Sequence, residues 1–374
     1  MKKLLICLLA IQQISTLTAR EVKVSDEKKA DVNKISEEAV VVDGGLWPNL
    51  ALLPNGEILL SAFNSPKHGG VPGDIDAWKS SDDGATWEHF STVAKRPHEA
   101  SNRMNHAVGV IKKDSRLVAV VWGYEDTGKP RWTSILPIVT TSTDNGKTWE
   151  ELGEFDCGLS PQESVIPYGQ MVEASDGSLR FIVYVLPVSG DKNTMKDEKT
   201  AYMVKSTDDG KTWSEVGTLG SDTSETATIE VAPKEWLAIT RTKAIRSDKP
   251  GEHKGMTMEQ LRSTDDGKTW INEGTVTSDL QHPANLLITK NGDLLLTYSD
   301  RIRGETLVRL SKDKGKSWGR PYLVNSGWGR GDGGYPSTVQ LSDGTFVTAF
   351  YAARSPLVGN VKRYHTGLVR WQLP

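Results

Sequence analysis

One acidic and one basic side chain stand at a separation that would let them work together. Glu225 and Arg241 flank a short apolar hairpin and lie sixteen residues apart. Because the two ends of a hairpin lie side by side, we expect the side chains to meet, and the Arg would keep the Glu ionised and oriented. The alternative is an ordinary surface ion pair, which would contribute little. In a pocket, the pair would be suited to binding or catalysis.

Glu225 is one of six residues that share a position relative to a hairpin turn. Each stands eight residues before its turn: Trp47, His106, Tyr168, Glu225, Pro283 and Tyr335. Five of the six are aromatic, imidazole or acidic, and such side chains pack against ligands and exchange protons. If the hairpins surround one axis, these residues gather at the mouth of a central funnel.

The hairpins themselves are pairs of short runs rich in Val, Ile, Leu, Phe and Tyr. Four of them turn at Asn-Gly or Asp-Gly, the strongest short-range hairpin signal. Two weaker ones turn near Asp114 and Pro233. The six cover residues 50–63, 107–122, 170–184, 228–240, 286–298 and 338–351.

A second repeat, which we call the box motif, reads Ser-x-Asp-x-Gly-x-(Thr/Ser)-Trp. Its five copies begin at Ser80, Ser142, Ser206, Ser263 and Ser311. The Asp can accept backbone hydrogen bonds in a tight loop, the Gly supplies positive φ, and the Trp buries a large apolar face. We interpret the motif as structural, and its spacing suits four-stranded propeller blades.

Six hairpins with five boxes predict an all-β fold, a six-bladed β-propeller. One further strand is available after the last hairpin, at residues 365–372, and an apolar stretch at 39–42 precedes the first. Pairing these two ends in one sheet would close the ring and hide its edges. We expect residues 20–374 to form this single domain, with the polar segments 189–200 and 242–257 as insertions.

The first nineteen residues have the pattern of a secretory signal peptide. Lys2 and Lys3 precede an apolar run from Leu4 to Ile11, which is too short to span a bilayer, and a small residue follows at Ala19. We therefore expect a secreted or periplasmic protein without a membrane span. The remaining chain keeps only Cys157, so it cannot form an internal disulfide.

Charge and motif content argue against several classes of partner. The formal net charge is −3 for the whole chain, becomes more negative once Lys2 and Lys3 are removed, and no basic patch suggests nucleic acid. No His/Cys/Asp cluster has metal-ligand spacing, and no Gly-rich loop precedes a helix as phosphate binding requires. We expect no metal and no other cofactor.

The box motifs and the aligned residues resemble the sialidase (neuraminidase) superfamily over essentially the whole mature chain. Sialidases place a Glu about sixteen residues before an Arg of the triad that binds the substrate carboxylate, as in Glu225 and Arg241. They place another triad Arg eight residues before the Ser of a late box, as with Arg303. Their Tyr nucleophile stands eight residues before an Asp-Gly, as Tyr335 does.

The resemblance implies an exo-glycosidase that hydrolyses a terminal acidic sugar, sialic acid or a related one, from a glycan. A carboxylate on the anomeric carbon would repel an anionic nucleophile, so a neutral Tyr335 deprotonated by Glu225 would attack. Arg241 and Arg303 would hold the substrate carboxylate. The funnel residues Trp47, His106 and Tyr168 would line the sugar site.

Two positions depart from the family pattern. The family's Arg-Ile-Pro signature aligns with Leu46-Trp47-Pro48, so the first triad Arg is absent, and Arg103 is the candidate for a third cation. The general-acid Asp should fall ten to twelve residues before the first box, at residues 68–70. His68, Asp74 and Asp76 are the candidates for that proton donor, and Asp74 ranks first.

Two alternatives to hydrolysis stay open. The propeller could bind carbohydrate without cleaving it, having kept the pocket and lost the acid. It could also eliminate across a uronic acid, with His106 or His282 and a Tyr as acid and base. Both imidazoles could instead simply pack inside the funnel.

Overall fold

The computed structural model describes residues 21–69, 72–125, 133–159, 163–187, 199–242, 256–353 and 363–374. Within these ranges the chain forms twenty-eight β-strands and no helix, which confirms the predicted all-β fold. No element of these ranges is a helix long and apolar enough to cross a membrane. The predicted signal peptide, residues 1–19, lies outside them.

Four short strands begin the described chain and serve as partners for strands much further along it. They are β1 (Lys23–Val24), β2 (Ala30–Asp31), β3 (Asn33–Lys34) and β4 (Ala39–Asp43). We refer to residues 21–43 as the N-terminal strap.

Most of the remaining strands form antiparallel sets of four, designated A to F in chain order. Set A contains β5 (Leu46–Leu52), β6 (Ile58–Phe63), β7 (Ile75–Ser80) and β8 (Glu88–Ala94). Set B contains β9 (Asn105–Ile111), β10 (Arg116–Glu125), β11 (Thr133–Ser142) and β12 (Glu150–Glu154). Set C contains β13 (Glu163–Glu173), β14 (Leu179–Pro187), β15 (Thr200–Ser206) and β16 (Ser214–Ser221).

The second half of the chain repeats this arrangement. Set D contains β17 (Thr223–Ala232), β18 (Glu235–Thr242), β19 (Met258–Ser263) and β20 (Ile271–Thr275). Set E contains β21 (Gln281–Ile288), β22 (Leu294–Asp300), β23 (Glu305–Ser311) and β25 (Tyr322–Ser326), with the two-residue β24 (Ser317–Trp318) before β25. Set F contains β26 (Gly334–Gln340), β27 (Phe346–Ala352) and β28 (His365–Gln372), with β4 as its fourth strand.

The first strands of the sets contact one another in succession. β5 contacts β9, which contacts β13; the succession continues through β17 and β21 to β26, and β26 contacts β5. β9 and β13 also pair in parallel, which joins sets B and C into one eight-stranded sheet. The inner strands are apolar on both faces, and all six residues of β6 are buried, because each set is covered by its neighbours. The division into six blades stays a prediction.

The box motifs form tight loops that join the third and fourth strands of their sets. In the first copy, the Asp82 carboxylate accepts hydrogen bonds from the Thr86 N–H at 2.8 Å and the Thr86 hydroxyl at 2.6 Å. The Trp87 indole donates to the Gly84 carbonyl at 3.1 Å. The same Asp contacts recur in the other four copies. The motif is therefore a local turn device, as its sequence predicts.

The N-terminal strap runs along the outer edges of three sets. The Val22 N–H donates to Glu273 of set D. β1 and β2 pair in parallel with β24 and β25 of set E. β3 and β4 pair antiparallel with β28 of set F. The predicted pairing of residues 39–42 with 365–372 is thus present.

Candidate functional site

Irregularities in the first strands of the sets direct side chains toward one another. The pairing registers of β5, β17, β21 and β26 shift at residues 46–49, 223–226, 281–284 and 334–337. Such bulges re-aim side chains and are common beside active sites. Trp47 and Tyr335 also have φ of 52° and 49°, a left-handed conformation that is rare for non-glycine residues. Strain of this kind costs about 1–3 kcal/mol and clusters at functional sites.

Tyr335, Glu225 and Arg241 form one hydrogen-bonded cluster at these bulges. The Tyr335 hydroxyl donates to Oε1 of Glu225 at 2.6 Å, and Nη1 of Arg241 donates to the other oxygen, Oε2. The residues are buried, with 6% of Tyr335 and 8% of Glu225 exposed. The expected meeting of Glu225 and Arg241 is therefore present, and the pair is not an ordinary surface ion pair.

Burial and charge together set the protonation of this cluster. Burial raises the pKa of Glu225, but the charges of Arg241, Lys199 and Arg301 and the hydrogen bond from Tyr335 together outweigh it, and the pKa falls to about 2. Burial and the neighbouring Glu225 charge raise the pKa of Tyr335 well above its usual value. At neutral pH the cluster therefore contains a neutral phenol that donates to an ionised carboxylate.

A second guanidinium at the cluster belongs to Arg301, not to the predicted Arg303. The Arg301 Cζ lies 5.1 Å from the centre of the Tyr335 ring, in cation–π contact. Arg303 is two residues further, in the turn after β22, where its side chain is 62% exposed and pairs with Asp300 at 2.8 Å. Arg303, which the sequence predicted as a carboxylate-binding residue, is therefore not part of the cluster, and Arg301 lies there instead. The reason is that β22 ends at Asp300 and only Arg301 turns inward.

Both inner guanidinium groups have donors without strong acceptors. Nε and Nη2 of Arg241 donate to the Met256 sulfur at 3.0 and 2.7 Å, and a thioether is a weak acceptor. Nε and Nη2 of Arg301 are buried without a hydrogen-bond partner among the described residues. The cluster therefore keeps hydrogen-bonding capacity for an anion.

Asp332, which the sequence analysis did not single out, organises the other side of Tyr335. Its Oδ1 accepts from the Tyr351 hydroxyl at 2.9 Å and lies 3.4 Å from Nη1 of Arg301. Its Oδ2 accepts from the Tyr364 hydroxyl at 3.1 Å and lies 3.6 Å from Nε2 of His68. The Tyr351 ring stacks on Tyr335 with centroids 5.2 Å apart.

Aromatic rings occupy much of the space around Tyr335. Trp47 meets its edge with centroids 6.3 Å apart, and Tyr168 lies at 6.2 Å. Leu46, the residue before Trp47, is fully buried in the core. The position aligned with the first triad Arg is therefore apolar, and the neighbouring Trp47 is also buried, with 6% exposed.

The two funnel histidines are buried, neutral imidazoles. Nε2 of His106 lies 2.8 Å from the Ser61 hydroxyl, and burial lowers the pKa of His106 to about 4. Burial, then the charges of Arg241 and Arg301, lower the pKa of His282 to about 2. His106 lines a cavity of about 30 Å³ with Trp47, Tyr168 and Tyr335. That volume holds about one water molecule and no sugar.

The structure engages Asp74, Asp76 and Arg103 elsewhere. Asp74 accepts from the backbone and guanidinium of Arg96 at 2.7 and 2.9 Å. Asp76 accepts from Asn64 at 2.7 Å and Thr92 at 2.8 Å, both within set A and its loop. Arg103 donates to the Leu136 carbonyl at 2.8 Å in set B. These acids and Arg103 are thus held by their own sets, whereas His68, the third candidate for the proton donor, lies 3.6 Å from Asp332.

Metal binding finds no support in the described part of the chain, where no group of three or more His, Cys, Asp and Glu is arranged to hold an ion. The chemistry available at the cluster is that of a phenol, a carboxylate, two guanidinium groups and a second carboxylate.

Solved structures of similar fold include several sialidases. A protein of unknown function from Dyadobacter fermentans is 20% identical, with a TM-score of 0.72 over 92% of this chain and 99% of that one. A Hadza microbial sialidase is 18% identical, with a TM-score of 0.67 over 89% of this chain and 66% of that one. Trypanosoma rangeli sialidase is 18% identical, with a TM-score of 0.62 over 92% of this chain and 58% of that one. At these identities the likeness establishes the fold alone.

No curated protein matches the chain in sequence. The model of the BNR repeat-like domain family matches residues 56–348. This range includes all five box motifs together with Glu225, Arg241, Arg301 and Tyr335. Since it spans well over half of the sequence, the chain belongs to the BNR repeat-like domain family.

Proposed function

We propose that the protein is an exo-acting glycoside hydrolase that removes a terminal acidic sugar, sialic acid or a related one, from a glycan. The observation that carries the proposal is the 2.6 Å hydrogen bond from the Tyr335 hydroxyl to the buried Glu225 carboxylate. It pairs a candidate nucleophile with a base in reach of its proton. The strained backbone at Tyr335 supports a functional role for the same residue.

Arg241 and Arg301 would bind the carboxylate of the substrate. Their incompletely bonded donors favour an anion, because a charge-assisted hydrogen bond replaces a weak or missing one. Trp47 would support the sugar through its ring face, as would Tyr168 beside it. The sialidase pattern binds the substrate carboxylate with three arginines, and this site has two. The missing arginine favours an acidic sugar other than common sialic acid.

Substrate binding would also prepare the base. In the free protein Arg241 keeps Glu225 strongly acidic. A substrate carboxylate that engages Arg241 would share its charge, so Glu225 would become a stronger base at the moment when Tyr335 must lose its proton. The two electrostatic contacts of Arg241 would thus couple binding to activation.

We further propose that sets A to F are the blades of a closed six-bladed propeller. Support comes from the succession of contacts among first strands, which returns from β26 to β5. The residues eight positions before the turns would then surround one end of the central axis. Export, with cleavage after Ala19, is part of the same proposal, and N-terminal sequencing of the exported protein should begin at Arg20.

A screen of released sugars tests the reaction. Wild type and Tyr335→Phe are incubated with 4-methylumbelliferyl glycosides of N-acetylneuraminic, deoxyketo and uronic sugar acids, and with acidic glycans. Wild type should release one acidic monosaccharide, and Tyr335→Phe should lose turnover without losing its fold. Tyr322→Phe, on the outer strand β25, serves as the matched control. Undiminished turnover by Tyr335→Phe would remove it as nucleophile.

The second candidate is a carbohydrate-binding protein without catalysis. The apolar Leu46 and the absence of an Asp from residues 68–70 favour it, since the resemblance assigns substrate binding and acid catalysis to these positions. Calorimetric binding of an acidic glycan, with no sugar released on long incubation, would decide for it. Elimination by His106 or His282 is less well supported, because both imidazoles are buried. An unsaturated product absorbing in the near ultraviolet would demonstrate elimination instead.

A further inference from the structure

Both carboxylate oxygens of Asp332 are contacted by neighbouring side chains. Four groups surround the two oxygens, namely the Tyr351 and Tyr364 hydroxyls, the Arg301 guanidinium and the His68 imidazole. Two of them donate hydrogen bonds to it and one is permanently cationic. Asp332 is therefore suited to hold a neighbouring side chain in position through contacts on both of its oxygens.

His68 is the member of this group that is open to a ligand. Its side chain is 45% exposed, whereas Tyr335 is almost closed from solvent. Its ring lies 4.9 Å from that of Trp47, and Trp47 lies 6.3 Å from Tyr335. His68 and Tyr335 thus both contact Trp47, which places an exposed imidazole and a buried phenol beside the same aromatic ring.

Glycosidic cleavage needs a proton donor for the departing oxygen as well as a nucleophile. Asp74 and Asp76 are occupied by Arg96, Asn64 and Thr92. We propose that His68 is this proton donor and that Asp332 is its positioning residue. The proposal rests on the proposed function and assigns its missing acid.

The proposed step transfers the sugar from the glycosidic oxygen to Tyr335. The bond between the Tyr335 oxygen and the anomeric carbon forms while the bond from that carbon to the glycosidic oxygen breaks. The electron pair of the broken bond stays on the departing oxygen, which takes a proton from the imidazolium of His68 and leaves as an alcohol. The Tyr335 proton passes to Glu225. In the second half of the reaction, water forms a bond to the anomeric carbon and gives a proton to the neutral imidazole, while the bond from that carbon to the Tyr335 oxygen breaks and Tyr335 regains its proton from Glu225.

The geometry fits this assignment in one further respect. Nε2 of His68 faces Asp332, which leaves Nδ1 as the nitrogen available to a substrate. The 3.6 Å separation of Nε2 and Oδ2 is an ion-pair distance longer than a hydrogen bond, and contacts of catalytic groups often shorten when substrate binds. Arg301 links the two halves of the site, since it contacts both Asp332 and the Tyr335 ring.

A leaving-group series tests the proposal. Wild type, His68→Ala and Asp332→Asn are compared on glycosides of one acidic sugar with dinitrophenyl, methylumbelliferyl and disaccharide leaving groups. A dinitrophenolate departs without protonation, so His68→Ala should keep kcat/KM within about tenfold there. It should lose about 10²- to 10⁴-fold on the disaccharide, the usual contribution of a general acid. Asp332→Asn should show the same dependence on leaving group, with a smaller loss.

His98→Ala is the matched control, because His98 is also exposed, at 48%, and faces the carboxylate of Glu125 at 3.0 Å. It should behave as wild type with every leaving group, and circular dichroism checks the fold of each variant. An equal loss by His68→Ala across the series, or no loss on the disaccharide, overturns the proposal while the hydrolase function stands. If Tyr335→Phe retains turnover and His68→Ala shows the expected dependence, the nucleophile fails and the proton donor stands. A wild type that cleaves none of the glycosides refutes both.

Discussion

Replacing Glu225 by Gln should destabilise the protein by about 3 kcal/mol at pH 7. The substitution keeps the shape of the side chain and removes the charge that faces Arg241. The pKa of Glu225 falls from 4.5 to about 2 on folding, and at about 1.36 kcal/mol per pKa unit this corresponds to roughly 3 kcal/mol. The same magnitude is expected when one partner of a buried ion pair is removed, about 3–5 kcal/mol.

The pH dependence of this difference has a definite sign. A carboxyl group whose pKa is lowered by folding contributes its stability above its unfolded pKa and loses it as the pH falls toward its folded pKa. The difference between wild type and Glu225→Gln should therefore be full above about pH 5. It should shrink by about 2 kcal/mol between pH 4.5 and pH 3.

Urea denaturation followed by tryptophan fluorescence, at pH values from 7 to 3, measures both quantities. Asp43→Asn is the control, since Asp43 pairs with Arg363 at the surface and should contribute less than about 1 kcal/mol. A Glu225→Gln protein within about 0.5 kcal/mol of wild type at pH 7 would contradict the reasoning, because the Arg241 charge would then need no partner. A difference that does not change with pH would contradict it as well.

Three further predictions concern the substrate cations, the box motif and the single cysteine. Arg301→Met should raise KM for an acidic glycoside by about 10- to 100-fold, which corresponds to the loss of one charge-assisted hydrogen bond. The KM of Arg303→Met should stay within about twofold of wild type. Equal effects of the two substitutions in steady-state kinetics would argue against Arg301 as the carboxylate-binding residue. Asp313→Ala removes hydrogen bonds to the Ser317 backbone and hydroxyl and should lower the free energy of unfolding by about 1–2 kcal/mol in urea. Burial raises the pKa of Cys157 to about 11, so an aromatic disulfide reagent should label it only in denaturant, and rapid labelling of the native protein would count against this burial.

The strand sets and the Tyr335 cluster could be predicted because both depend on short-range signals. Asn-Gly and Asp-Gly turns fix where each hairpin reverses, and counting eight residues back reaches the bulge that aims Glu225 or Tyr335 inward. The same counting finds Trp47, which contacts Tyr335, and His106, which lines a cavity with it. Because the strand sets repeat one unit, residues at the same offset from their hairpin turns occupy equivalent positions in the structure.

Two residues of the cluster escaped this reasoning for different physical reasons. Arg301 and Arg303 are both basic and two positions apart, so alternation along a strand would place them on the same face. Their environments differ because β22 ends at Asp300: Arg301 contacts Tyr335, whereas Arg303 is exposed. Asp332 lies in a glycine-rich loop with positive φ at Gly331, Gly333 and Gly334, and no period of strand or helix predicts where such a loop directs a side chain.

The N-terminal strap has a consequence for the order in which the molecule is completed. Glu38 contacts His365, 327 positions further along the chain, and β4 forms its sheet with β28. During synthesis, the strap emerges long before any of the strands that bind it. Contacts so distant in sequence are slow to form, and strand edges that are still unpaired favour aggregation. Until β28 has been synthesised, the last sheet therefore stays incomplete and β4 lacks its partner strand.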